Sequence, residues 1–214
     1  MEHHFSTTRQ ARFYQLGEWS ASTTHVWIVF HGYGQLAQFF IKKFQYLADQ
    51  GHVVIAPEGP HRFYTQGQSG RVGASWMTKE WREQDIADNL LMLDSLYAHI
   101  QPNIHSGVKI NVIGFSQGAA TSVRWIAQTA APVSRYFIWA GHLPPDMNYS
   151  IVSPVFSKIK TYLIMGDQDE YFPAGDHSAW TKLLEPAGIH FDVITYAGGH
   201  DIHQDTLKKI TDLI

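Results

Sequence analysis

A serine stands at the centre of Gly114-Phe115-Ser116-Gln117-Gly118, directly after an apolar run at 108–113 and directly before the small residues Ala119, Ala120, Thr121, Ser122 and Val123. The apolar run reads as a buried strand and the small residues as the start of a helix. A strand that turns at once into a helix crowds the corner residue, and bare α-carbons at Gly114 and Gly118 relieve that crowding. In this strand–turn–helix context, G-x-S-x-G lifts the serine hydroxyl above the edge of a sheet. The Gln117 backbone N–H, at the start of the helix, is then placed to meet a developing oxyanion. A glycine-punctuated turn with an incidental serine has the same five residues, so the rest of the chain must decide between the two.

The rest of the chain alternates. Apolar runs at 25–30, 53–56, 135–140, 161–165 and 191–195 read as strands. Helical stretches are expected at about 38–50, 79–100, 178–185 and 203–213, the second marked by Ile86, Leu90, Leu93, Tyr97 and Ile100 at spacings of four and three. Near-continuous apolar strands alternating with helices predict a mostly parallel sheet covered on both faces. A hairpin at about 12–19, pairing forward, would add antiparallel strands at one edge. Residues 59–78, rich in glycine, are expected to form a long loop. In such sheets, sites lie beyond the carboxyl ends of the strands.

Composition sets the outer limits. With 214 residues, 44% hydrophobic and 16% charged, the chain is expected to form one globular domain over 1–214. A net charge of −3 and no basic stripe along the sequence argue against nucleic acid and anionic membranes as partners. The absence of cysteine excludes disulfides, thiolate zinc sites and cysteine nucleophiles. The N-terminus carries no signal-peptide pattern and no apolar run approaches the length of a membrane span, so a cytoplasmic location without integral membrane association is expected.

An acyl-transfer serine needs a base, an orienting acid and oxyanion donors, each just past a strand. Gly198-Gly199-His200 follows the strand ending at Thr195, and His200 is preferred as base over His203, which reads as the beginning of the last helix. His200 and His203, three apart, have no third ligand at a recognisable spacing, so no metal is expected. Gly166-Asp167-Gln168-Asp169 follows the strand ending at Met165, and position alone leaves Asp167 and Asp169 open as the acid. His31-Gly32-Tyr33-Gly34 follows the first long strand, and the Tyr33 and Gln117 amides are the expected oxyanion donors. Trp76 and Leu143 are candidates for lining an apolar substrate site. Trp139 divides evenly between that role and the core.

With His31-Gly-Tyr-Gly34, Gly114-Phe-Ser-Gln-Gly118, Gly141-His-Leu-Pro144, Gly166-Asp-Gln-Asp169 with Pro173, and Gly199-His-Asp-Ile202 in hand, the chain resembles the phospholipase/carboxylesterase (acyl-protein thioesterase-like) family of α/β-hydrolases. The resemblance spans almost the whole length. Aligning Gly166 and Pro173 with the family's loop pattern implies Asp169 as the acid, and the G-H-x-I pattern implies His200. It also implies an α/β-hydrolase fold without a separate lid domain, no cofactor, and cleavage of a small acyl ester or thioester through Ser116, His200 and Asp169. Monomer and homodimer both fit. The chain departs from the family at Pro57-Glu-Gly-Pro60, at Trp76-Met-Thr78 and at Phe172, positions that flank the acyl pocket in relatives and bear on substrate choice. The rival readings are a carbohydrate acetyl esterase on the same fold, a non-catalytic ligand-binding protein of this fold, and an interaction module using its aromatics as a surface patch.

Overall fold

The structure is a computed structural model that describes residues 1–172 and 176–214; Pro173, part of the loop pattern above, lies outside the described residues. The described residues form nine strands: β1 (Phe13–Leu16), β2 (His25–Phe30), β3 (Val53–Pro57), β4 (His61–Gln66), β5 (Ser69–Ser75), β6 (Lys109–Phe115), β7 (Val133–Trp139), β8 (Lys160–Gly166) and β9 (Phe191–Tyr196). Helices α1 (Ala37–Phe40), α2 (Gln45–Asp49), α3 (Arg82–Ile100), α4 (Gln117–Ile126), α5 (Tyr149–Phe156), α6 (Ser178–Leu184) and α7 (Gln204–Thr211) connect them.

Seven strands form one sheet in the order β1-β3-β2-β6-β7-β8-β9, with only β1 antiparallel to its neighbour. The apolar runs explain this arrangement. Val26, Trp27, Ile28, Val29 and Phe30 are all buried, as are Val53 to Ala56, because helices cover both faces of these strands. The fold is that of an α/β-hydrolase.

The strand order fixes where a site can form. The chain lays β3 on one side of β2, then crosses back to place β6 on the other. The crevice between β2 and β6 is therefore the switch point of the sheet, where loops leave in opposite directions. Phe30 and Gly114 are register partners across it. His31-Gly-Tyr-Gly34 and Ser116 thus emerge side by side.

Three expectations change. The N-terminal segment does supply an antiparallel strand at one edge of the sheet, but it pairs with β3 and does not form a hairpin. Residues 59–78 are not a plain loop, because β4 and β5 make a separate two-stranded hairpin whose tip, Gly67-Gln68, has Gly67 at φ 74°. Its strands are largely exposed and lack a continuous apolar run, so they carry no strand signature. The helix expected at 38–50 is broken into α1, a 3-10 turn (Ile41–Phe44) and α2.

α5, which is not among the helices expected from sequence, contains Pro154; Asn148 Oδ1 caps its start by accepting the Ile151 N–H at 3.4 Å. The tryptophans divide between the core and the surface, with Trp81 57% exposed. Trp27, Trp76, Trp125 and Trp139 are core residues, and so is Trp180. Burying four or five indoles against the sheet contributes most where the apolar area is largest, at roughly 25 cal/mol per Å².

Candidate active site

Ser116 occupies the corner between β6 and α4 with φ 52° and ψ −122°, a backbone conformation that costs a non-glycine residue on the order of 1–3 kcal/mol. The corner is pinned on both sides. The Ser116 N–H donates to the Trp139 carbonyl at 3.0 Å, and the Ser116 carbonyl accepts from Ala119 N–H at 3.0 Å. The flanking glycines are required by space. A Cβ at Gly114 would sit 2.3 Å from Ser122 Oγ and 2.6 Å from the Ala119 α-carbon. One at Gly118 would sit 2.4 Å from the Phe30 carbonyl oxygen, so this glycine also lets β2 approach the corner.

The histidine and one of the two aspartates meet. His200 Nδ1 lies 2.8 Å from Asp169 Oδ2, and the Asp169 side chain is fully shielded from solvent. Asp169 Oδ1 accepts the Tyr171 N–H at 3.0 Å, which fixes the carboxylate's rotation. The ring of His200 packs against Phe115 and Tyr171, with centroids 4.9 and 4.7 Å away.

Asp167 has a different task. Its Oδ1 accepts the Gly198 N–H at 3.0 Å, while Gln168 N–H donates to the Gly198 carbonyl at 2.9 Å, stitching the loop after β8 to the loop that carries His200. His203 is directed elsewhere: its Nδ1 accepts the Thr206 N–H at 3.4 Å and caps α7, and its ring stacks on Tyr196.

Trp139 resolves to the core. It is wholly buried, and its indole N–H donates to the Asp201 carbonyl at 3.0 Å, supporting the His200 loop from beneath.

The loop after β2 is organised by His31. Gly59 N–H donates to His31 Nε2 at 2.9 Å, so Nε2 is the acceptor nitrogen and Nδ1 carries the proton. Nδ1–H therefore donates to the Gly32 carbonyl at 2.8 Å. A trans peptide points its C=O and its N–H in opposite directions. Holding the Gly32 carbonyl against His31 thus turns the Tyr33 N–H the other way. The neighbouring amides are occupied, Gly32 N–H by Gln35 Oε1 at 2.9 Å and Gly34 N–H by the Ala74 carbonyl at 2.8 Å. Tyr33 N–H has no acceptor among the described residues. Burial pushes the His31 imidazole down to about 4, which outweighs the opposing hydrogen bond to Gly32 and keeps the ring neutral.

Gln117 N–H belongs to the first turn of α4, where backbone donors have no intrahelical acceptor. The Gln117 side chain is occupied. Its Oε1 accepts the Trp76 N–H at 3.1 Å, and its Nε2 donates to the Met77 carbonyl at 2.9 Å.

Trp76 has no exposed surface and does not line the site; its ring stacks on His31 at 4.9 Å and its indole N–H donates to the His31 carbonyl at 2.8 Å. Leu143, 5% exposed, presents almost no surface either. The exposed aromatic groups near the corner are Tyr33 and Tyr171, at 60% and 61%. The His31 tautomer and the Gln117 clamp were not anticipated, since their partners lie 28 and about 41 residues away. The departure at Pro57-Glu-Gly-Pro60 was the available signal. Glu58 there is a buried carboxylate bonded to Arg12 at 2.7 Å, and Gly59 supplies the His31 contact.

A family model described as phospholipase/carboxylesterase matches residues 18–214. Among solved structures, the carboxylesterase from Mesorhizobium loti aligns with a TM-score of 0.71 at 15% identity, covering 95% of this chain and 93% of that one. Esterase PE8 aligns at 0.67 and 21% identity over 96% and 98% of the two chains. Acyl-protein thioesterase 2 of Zea mays aligns at 0.67 and 14% identity over 95% and 97%. No curated protein matches in sequence.

Proposed function

The chain belongs to the phospholipase/carboxylesterase family of α/β-hydrolases, and we propose that it is a serine hydrolase cleaving carboxylic esters or thioesters through Ser116, His200 and Asp169. The observation that carries this reading is the 2.8 Å contact between His200 Nδ1 and a fully shielded Asp169 carboxylate, on the same sheet end as the strained Ser116 corner. A carboxylate can only accept, so the pairing assigns the proton to Nδ1 and leaves the Nε2 lone pair as base.

In the proposed reaction, Nε2 takes the Ser116 hydroxyl proton as Oγ attacks the acyl carbon. Negative charge forms on the former carbonyl oxygen, and the Tyr33 and Gln117 amides stabilise it there. Collapse breaks the bond to the alcohol or thiol, which leaves with the proton from His200. Water then gives a proton to Nε2 and attacks the acyl-enzyme, and as the bond to Oγ breaks Nε2 returns that proton to Oγ, releasing the acid and free Ser116. Only water and substrate are consumed.

The test is hydrolysis of p-nitrophenyl esters from acetate to palmitate, alongside labelling by a fluorophosphonate, with Ser116→Ala as control. The expected result is turnover and labelling that both vanish in the variant, with the preferred chain length sizing the acyl site. A wild-type protein inert to every ester and to the fluorophosphonate overturns the reading.

A further inference from the structure

At the opposite end of the sheet, the N-terminal ends of β6, β7 and β8 border an open cleft of about 640 Å³. The sequence has no basic stripe, but the fold assembles a basic cluster here: Lys109 opens β6, Arg135 lies at the start of β7, Lys158 follows α5, and Lys160 opens β8. No aspartate or glutamate lines the cleft. None of the four cations forms an ion pair with a described carboxylate. The α4 and α5 C-termini also end here and bring about half a negative charge each, which leaves a clear positive surplus in a chain whose net charge is −3.

One further feature points to an occupant. The remaining wall is apolar, with Ile126, Val133, Val155 and Ile159, and Val155 is 36% exposed.

We propose that this cleft binds an amphipathic anion, the carboxylate or phosphate head held by the cations and an aliphatic chain laid on the apolar wall. Clefts of roughly 300–1,000 Å³ suit a single such ligand. The same head-group chemistry is found on free fatty acids and on anionic lipids at a membrane surface. β6 is seven residues long, so the cleft lies about 20 Å from Ser116 and the proposal does not depend on the hydrolase reading.

The experiment uses the full chain with Ser116→Ala. Isothermal titration with dodecanoate and dodecyl phosphate, below their micellar concentrations, is compared with dodecyltrimethylammonium and inorganic phosphate. Flotation with phosphatidylcholine vesicles, with and without phosphatidylglycerol, tests the membrane source. Saturable binding of the two dodecyl anions is expected, weakened at least tenfold in Lys109→Glu/Lys158→Glu/Lys160→Glu and several-fold in Val155→Asp. Flotation that requires phosphatidylglycerol and is lost in the triple variant supports the same site with a membrane lipid as its source. Binding that survives the charge reversals overturns the proposal. Equal binding of the dodecyl cation, equal binding of inorganic phosphate, or no binding of any anion or vesicle also overturns it. Thermal unfolding of each variant confirms that the fold is retained.

Discussion

Gln117 Oε1 accepts the backbone N–H of Trp76 at 3.1 Å, joining the residue after the corner serine to the residue whose indole holds the His31 carbonyl. One side chain thus ties the Gln117 amide to the loop that presents the Tyr33 amide. The spacing of the two proposed oxyanion donors is therefore set by a hydrogen-bonded bridge, with Ser75 Oγ joining it at 3.2 Å. Gln117→Ala keeps the backbone N–H and removes the bridge. The expected outcome is a fall in kcat of about tenfold to a hundredfold with KM changed little, because displaced donors lose transition-state stabilisation more than ground-state binding. Steady-state kinetics on a short-chain p-nitrophenyl ester measures it. A loss confined to KM would show that the bridge serves substrate binding instead.

Asp169 and Asp167 provide a matched pair of substitutions two residues apart. Asp169→Asn replaces the acceptor that faces His200 Nδ1 and favours the wrong imidazole tautomer, so kcat is expected to fall by about 10⁴. Asp167→Asn retains a side-chain oxygen able to accept the Gly198 N–H, and activity is expected to stay within about threefold of the original. If both substitutions cost the same, the acid has been assigned to the wrong residue.

These contrasts show where sequence carries structural information. The inner strands of the large sheet were legible because burial on both faces leaves unbroken apolar runs, as at Val26 to Phe30. The positions of Ser116, His200 and the two aspartates followed from strand ends. Sequence position could not separate Asp167 from Asp169, since both lie in one turn and are distinguished by which loop each side chain reaches. The β4–β5 hairpin escaped because its strands are half-exposed and polar. Trp76 was misplaced for a related reason: an aromatic residue after a loop looks the same whether it faces a substrate or the core. The hydrogen bonds made by His31 and Gln117 join distant loops, and such contacts leave no periodicity.

The neutral His31 makes stability depend on pH. Its imidazole is held down to about 4 in the folded protein, against about 6.5 in an unfolded chain. Above pH 6.5 both states are neutral and the residue contributes no pH dependence. Between 6.5 and 4 the unfolded chain binds a proton that the folded protein refuses, so stability falls as pH falls, by close to 1.4 kcal/mol per pH unit at full effect. Over the whole window the loss from His31 is on the order of 3 kcal/mol. His25 acts in the same direction and window, pushed down to about 4 chiefly by burial, with His52, Arg135 and Lys109 adding to it. Asp146 enters later. Burial pushes its carboxyl up, but hydrogen bonds from Arg82 and Arg124 outweigh this and hold it at about 2, so its contribution is lost only as pH falls from about 4 toward 2. Urea unfolding at pH 7, 5.5 and 4.5 is therefore expected to show a steady fall in stability, shallower by nearly one proton in His31→Gln. Identical slopes for the two proteins would mean that His31 is protonated in the folded state, and the Gly59 N–H to Nε2 bond that aims the Tyr33 amide would then be absent.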